Sequence, residues 1–341
     1  MIQLNSSLDF GRPSLFFYIV VCYAILYMGK KWGNREQASD PFKEGTKMYE
    51  LVQVSEKCYY INCPAKIGVY AADKNNVYLI DSGNDKDAGR KVRQILEKNG
   101  WHLAAILNTH SNADHIGGNR YLQAQTGCKV YSGGIEAAFT TYPMLEPSFL
   151  YGGYPCKDLR HKFLLAQESD VTDFSDESFP KEIEIVPLPG HFFDMVGFRM
   201  PDGVVFLADC ISSRATLEKY AVSFIYDVSA YLETLDMVEK MEAAIFVPAH
   251  AEASADIKEL VRFNRAKVHE VAERILSICK EPTCFERILQ EVFKSYGLAM
   301  NFEQYVLVGS TVRSYLSWLK DNGKMAAAFQ DSMLLWQSVS C

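Results

Sequence analysis

From Tyr49 onward the chain alternates short apolar runs with stretches whose apolar residues recur at helical spacing. Residues 58–61, 67–70 and 77–80 predict three close strands with turn residues between them, hence a meander. Asp81-Ser82-Gly83 then turns the chain. Residues 86–99, with Ala88, Val92, Ile95 and Leu96 on one face, predict a helix. A strand is expected at 103–107, a helix at 119–125 and a short strand at 130–131. Residues 136–180 break the pattern. They predict a long irregular insertion rich in aromatics, including Phe139, Tyr142, Phe149, Tyr151, Tyr154 and Phe163. Long inserts in compact domains usually carry function. Beyond them, 182–186, 198–200 and 204–208 predict strands, with Pro201-Asp202-Gly203 as a hairpin turn. A helix at 231–241 and a buried strand at 245–247 follow. Two runs of strands with helices between predict two sheets packed face to face, helices outside.

After His250 the pattern is helical at 255–279, 283–296 and 305–321, and 323–336 reads as a hairpin. That order suggests a small winged-helix-like unit. It carries eleven basic and eleven acidic residues from Ala251 onward, so it has no electrostatic case for gripping DNA. A homodimer contact or a wall of the substrate cleft is the expected use. At the other end, residues 15–28 are nearly all apolar. They are fewer than the roughly 20 a spanning helix wants, and no secretory signal pattern surrounds them. Lys30, Lys31 and Arg35 follow, so an inserted segment would keep the rest of the chain in the cytoplasm. The alternative is a start codon assigned too far upstream, since Met48 opens a first strand. The expected division is a leader over 1–47, a catalytic domain over 48–252 and a helical, winged-helix-like domain over 253–341.

Composition changes the picture little. Apolar content of 48% and charged content of 23% are those of a globular protein. A net charge of −7 argues against a general nucleic-acid binder. Nine scattered cysteines fit a reducing compartment, so a cytoplasmic location is expected.

The chemistry lies in four clusters. His110, Asn112, Asp114 and His115 fall within 109–115. His191 closes Pro187-Leu188-Pro189-Gly190-His191, Asp209 follows the apolar run 204–208, and His250 ends 244–250. Each stands where a buried strand would empty into a loop. Imidazoles and carboxylates so placed can converge on metal ions, and such ions suit hydrolysis. After His191, Phe192-Phe193-Asp194 has two readings. The rings line the cleft and Asp194 orients a ligand histidine, or the three serve loop packing and a helix cap.

Taken together, His-x-Asn-x-Asp-His, a distant Gly-His, an Asp after an apolar strand and a late Pro-Ala-His resemble the metallo-β-lactamase superfamily over about residues 48–250. The resemblance implies an α/β fold, a four-layer αββα sandwich, here followed by the small C-terminal unit. It implies that His110 and His191 serve one metal site, that Asp114, His115 and His250 serve a second, and that Asp209 bridges them. Asp114 would also accept the proton once attack begins. The expected cofactor is one or two divalent metals, zinc first. One departure matters: the family usually has a second His where this chain has Asn112. An amide oxygen is a weaker ligand than imidazole, so unequal affinities are expected, and manganese or iron becomes plausible. The activity implied is hydrolysis of a small ester or thioester, as in the glyoxalase II-like branch. Tyr142, Phe149, Tyr151, Tyr154 and Phe192 are the candidate substrate residues. Alternatives are a phosphodiesterase or ribonuclease of the same fold, an iron-dependent redox or sulfur enzyme, and a non-catalytic binder.

Overall fold

The structure, a computed structural model, describes residues 47–339. The apolar stretch at 15–28, and with it the expectation of an anchor or a misplaced start, lies outside the described residues. Strands β1 (Leu51–Gln53), β2 (Cys58–Ile61), β3 (Ile67–Ala71) and β4 (Asn76–Ile80) form the expected antiparallel meander. Helix α1 (Lys86–Lys98) crosses over to β5 (His102–Leu107), which lies parallel to β4. The side chain of Asp85 caps α1 by accepting from the Ala88 N–H. The one-turn α2 (Ala113–Ile116) and α3 (Asn119–Thr126) lead to β6 (Lys129–Tyr131), parallel to β5.

The insertion is more ordered than its pattern suggested. Residues 136–180 do not form one irregular loop: α4 (Gly134–Thr141) and α5 (Leu145–Tyr151) occupy its first part. Neither helix is capped by the side chain of its own N-cap residue, Gly133 or Met144, which removed the start signal from the sequence. Phe139 and Phe149 anchor them, ring to ring, at 6.3 Å between centroids.

The second sheet has the order β10-β9-β8-β7. It comprises β7 (Glu184–Pro187), β8 (Val196–Arg199), β9 (Val204–Ser212) and β10 (Ile245–His250), with α6 (Arg214–Tyr220) and α7 (Val228–Lys240) between the last two. Strand β9 runs four residues past its expected end because its parallel pairing with β10 continues as far as Ser212 and His250. The tail is α8 (Lys258–Ile278), β11 (Thr283–Cys284), α9 (Phe285–Tyr296), α10 (Phe302–Asp321) and the hairpin β12 (Met325–Gln330) and β13 (Met333–Ser338). Its small sheet has the order β11-β13-β12, the winged-helix arrangement.

Three cores build the layers. Between the sheets, Tyr60, Tyr70, Ile80 and Leu107 meet Phe198, Phe206 and Val247. Gly68 has to be glycine there, because a Cβ would come within 2.5 Å of the Phe206 ring. On the outer face of the first sheet, Val69, Leu79, Ile106 and Val130 pack under Val92, Leu96 and Leu122. On the outer face of the second, Val205, Leu207 and Phe246 join residues of α7, α8, α9 and α10 in one continuous core. The result is the αββα sandwich, with the tail sharing its outer core. Among the described residues, no helix is long and apolar enough to cross a membrane.

Candidate metal centre

Parallel strands deliver their C-terminal ends to one edge, and the polar residues that follow them meet there. His110 comes three residues after β5 and His250 ends β10. His115 sits on α2, which Asn112 precedes. Asp209 lies inside β9, immediately after Ala208, whose φ of 50° is left-handed. Such a φ is costly for a residue with a Cβ and tends to mark functional sites. It coincides with the register shift between β9 and β10 at Pro248. His191 follows Gly190 at φ 117°, where a Cβ would lie 2.3 Å from the Tyr231 nitrogen. Only glycine lets this loop pass α7.

The structure brings the six His and Asp candidates together. Ligand atoms of Asp114, His115, Asp209 and His250 lie within 4.8 Å of one another, and so do those of His110, His191 and Asp209. Asp209 is common to both groups. Its carboxylate is 3.1 Å from His115 Nε2, 3.1 Å from His250 Nε2 and 3.7 Å from His191 Nε2. Asp114 is 3.4 Å from His250 Nε2 and 3.7 Å from His115 Nε2. Two donors on one tetrahedral ion, with bonds of about 2.0–2.1 Å, stand roughly 3.3 Å apart. The spacing therefore fits shared ions. So does the hydrogen bonding: His110 Nε2, His115 Nε2 and Asp209 Oδ1 are buried without a well-aligned partner. Buried polar atoms are normally satisfied, and orphans need an explanation such as an ion.

The seventh candidate, Asn112, also faces the centre. Its Oδ1 is 3.2 Å from His191 Nε2, while its Nδ2 donates to Glu146 Oε1 at 2.8 Å.

The remaining ring nitrogens are held from behind. His115 Nδ1 pairs with Asp81 Oδ2 at 2.7 Å, and His250 Nδ1 with the Pro64 carbonyl at 2.8 Å. Thr109 Oγ1 lies 3.0 Å from His110 Nδ1 and donates to Asp81 at 2.7 Å. Such partners fix ring orientation and present Nε2 to the ion. Charge divides unevenly. Burial lowers His110 well below the usual imidazole range, and His115 adds to this. His191 is lowered for the same reason. At His250, burial is outweighed by Asp209 and Asp114, which push it up to about 10. His115 is likewise raised against burial by Asp209, Asp114 and Asp81. For Asp114, burial would raise the carboxyl, but His115 and His250 hold it below the carboxylate range.

Two residues absent from the sequence reading surround the first group. Glu136, on α4, accepts from the Ser111 N–H at 3.0 Å, from the Ser111 hydroxyl and from the Asp194 N–H at 2.9 Å. Burial pushes its carboxyl up to about 7. Glu146, on α5, is buried and raised well above the usual range, again by burial first. Their only sequence signal is a lone carboxylate on the apolar face of a short helix. Asp194 takes the cap role, accepting from the Ile135 N–H at 2.7 Å at the start of α4.

The substrate candidates scatter. Phe192 is fully buried, 6.4 Å from the His110 ring and packed on Phe139, Phe149 and Phe193. It backs the first group. Phe149 and Tyr151 line a cavity of about 780 Å³ together with Tyr226, Arg313 and Trp318, away from the ligands. Tyr142 and Tyr154 point outward, Tyr154 being 72% exposed and bonded to Arg160.

A model of the metallo-beta-lactamase superfamily matches residues 62–250. A hydroxyacylglutathione hydrolase of Methylococcus capsulatus is 40% identical over 65 residues, 17% of this chain and 25% of its own length. One from Cereibacter sphaeroides is 30% identical over 111 residues, 33% of this chain and 34% of its own. The chain thus spans about a third or less of these curated relatives. A Drosophila melanogaster beta-lactamase-like protein 2 homolog is 24% identical over 190 residues, 51% of this chain and 58% of its own. Among solved structures, a beta-lactamase domain protein from Burkholderia ambifaria superposes with a TM-score of 0.67 at 14% identity, covering 88% of this chain and 96% of that one. With sheet order, ligand placement and this match over more than half its residues in agreement, the chain belongs to the metallo-β-lactamase superfamily.

Proposed function

We propose that the protein is a metal-dependent hydrolase of small thioesters or esters. One observation carries this reading: two ligand groups share Asp209 while three buried ligand atoms lack well-aligned hydrogen-bond partners. His110, His191 and Asp209 would hold one ion, and Asp114, His115, His250 and Asp209 a second. A bound divalent metal would lower the pKa of water and polarise an acyl carbonyl.

The chain's own residues do the rest. Asp114 has the most exposed of these side chains, at 39%. Its carboxyl stays ionised near neutrality, so it is placed to accept a proton from attacking water. Phe192 and its ring neighbours close the centre from behind and keep bulk water from that side. A thiol leaves with a pKa of about 8.5. It therefore needs little acid assistance, which suits a site whose accessible carboxylate is held ionised. Matches to hydroxyacylglutathione hydrolases support the thioester class. A polyanionic substrate fits less well with a net charge of −7 and a tail of balanced charge.

The test is a panel of acyl-glutathione thioesters, aryl esters, lactones, a phosphodiester and RNA, each run with zinc, manganese and iron. Thiol release that a chelator abolishes is expected. Turnover of phosphodiesters with thioesters untouched would overturn the proposal.

A further inference from the structure

The amide of Asn112 is held in one orientation, and the residue that holds it comes from the insertion. Its Nδ2 donates to Glu146 Oε1 at 2.8 Å, which leaves Oδ1 facing His191 Nε2 at 3.2 Å. Glu146 is 3% exposed and sits in the first turn of α5. An unheld amide has two nearly equivalent orientations, one of which turns an N–H toward the centre. Glu146 Oε1 accepts the amide N–H, and that bond selects the orientation that sends the oxygen inward. The Oδ1–Nε2 separation is close to the roughly 3.3 Å expected of two donors on one tetrahedral ion.

We propose that Glu146 is a positioning residue that aims the Asn112 amide oxygen into the first ligand group, completing a site of His110, His191, Asp209 and Asn112 with two nitrogen and two oxygen donors. This deepens the reading of the centre as a metal site and rests on it. The neutral oxygen replaces an imidazole, so the site binds more weakly than its neighbour and tolerates harder ions. The insertion helix α5 thereby becomes part of the metal centre rather than a cover beside it.

The test is metal binding, read without activity. Chelator-stripped full chain is titrated with zinc by calorimetry and with cobalt by its visible absorption, which reports the ligand set. Wild type is expected to take two equivalents, one at least tenfold weaker. Glu146→Ala should weaken that second equivalent about 10- to 100-fold, the range for lost ligand-orienting partners. Glu146→Gln, whose amide oxygen still accepts from Asn112, should stay within about threefold of wild type by the same measure. If the alanine variant fails to fold, Glu146→Leu fills the space without an acceptor and carries the same expectation. A weak equivalent and cobalt spectrum unchanged in the alanine or leucine variant overturn the inference. So does a Gln variant as impaired as Ala, which would make charge, not orientation, the cause. One equivalent in wild type also overturns it while leaving the hydrolase reading standing; no bound metal overturns both.

Discussion

The two ligand groups share an aspartate but are built differently. The Asp114, His115, His250 group is held by the ends of β4 and β10: Asp81 follows β4, and His250 is the last residue of β10. Its histidines are raised by facing carboxylates, so an incoming cation must displace protons. The His110, His191 group is held by loops and by helices of the insertion. Its imidazoles are kept neutral by burial, and the carboxylates behind it, Glu136 and Glu146, are themselves raised. One half stores negative charge toward the metal. The other offers mostly neutral donors. Unequal occupancy is the physical expectation.

The largest effect should come from what the halves share. Asp209→Ala removes the bridging carboxylate from both groups. Turnover is expected to fall about a thousandfold or more, since metal ions supply several kcal/mol to hydrolysis. Metal analysis should show both equivalents weakened together. Loss of only one would mean that Asp209 serves a single site.

Next comes a change confined to the first half. The Glu136 carboxyl, pushed up from 4.5 to about 7, favours the protonated folded state. That contribution is complete below pH 4.5 and is lost as pH rises through 7. Glu136→Gln is neutral throughout, so relative to wild type it should gain up to roughly 3 kcal/mol between those limits. Urea melts at pH 4.5 and pH 8 give the difference, and a difference independent of pH would refute the burial argument.

The smallest effect is expected on the second half. Asp81→Ala frees His115 Nδ1 directly and loosens His110 only through Thr109, so it should weaken the tight equivalent about 10- to 100-fold and the loose one less. Zinc competition against a chromophoric chelator measures it. Weakening of the loose equivalent alone would contradict the division drawn here.

Much of this contrast can be traced to what a sequence displays. The residues around His110, His191, Asp209 and His250 stand out because each follows an apolar run, and a buried strand ending in a polar residue points to an edge where chemistry gathers. The layers were legible for the same reason: Val69, Leu79 and Val92 keep the periods of strand and helix. Glu136 and Glu146 were hidden, since a carboxylate in a short helix ordinarily faces solvent and only its place on the apolar face says otherwise. The substrate aromatics show the opposite problem. Phe192 and Tyr154 look equivalent in the chain, yet one is sealed inside and the other stands in water. Only the packing of α4 and α5 separates them. The turn at Ala208 left no trace either, because no glycine marks it.

The outer core of the second sheet runs without a break from Val186 through α7 and α8 to Met325, the first residue of the hairpin. Cooperativity follows from that continuity. Apart from the small cluster in which Val306 of α10 meets Leu150, Leu159 and Leu164 of the insertion, the hairpin and helices beyond His250 share their core with the strands bearing Asp209 and His250. Heat should therefore take the tail and that half of the sandwich in a single step, and damage far out in the tail will be felt as lost stability at the metal centre.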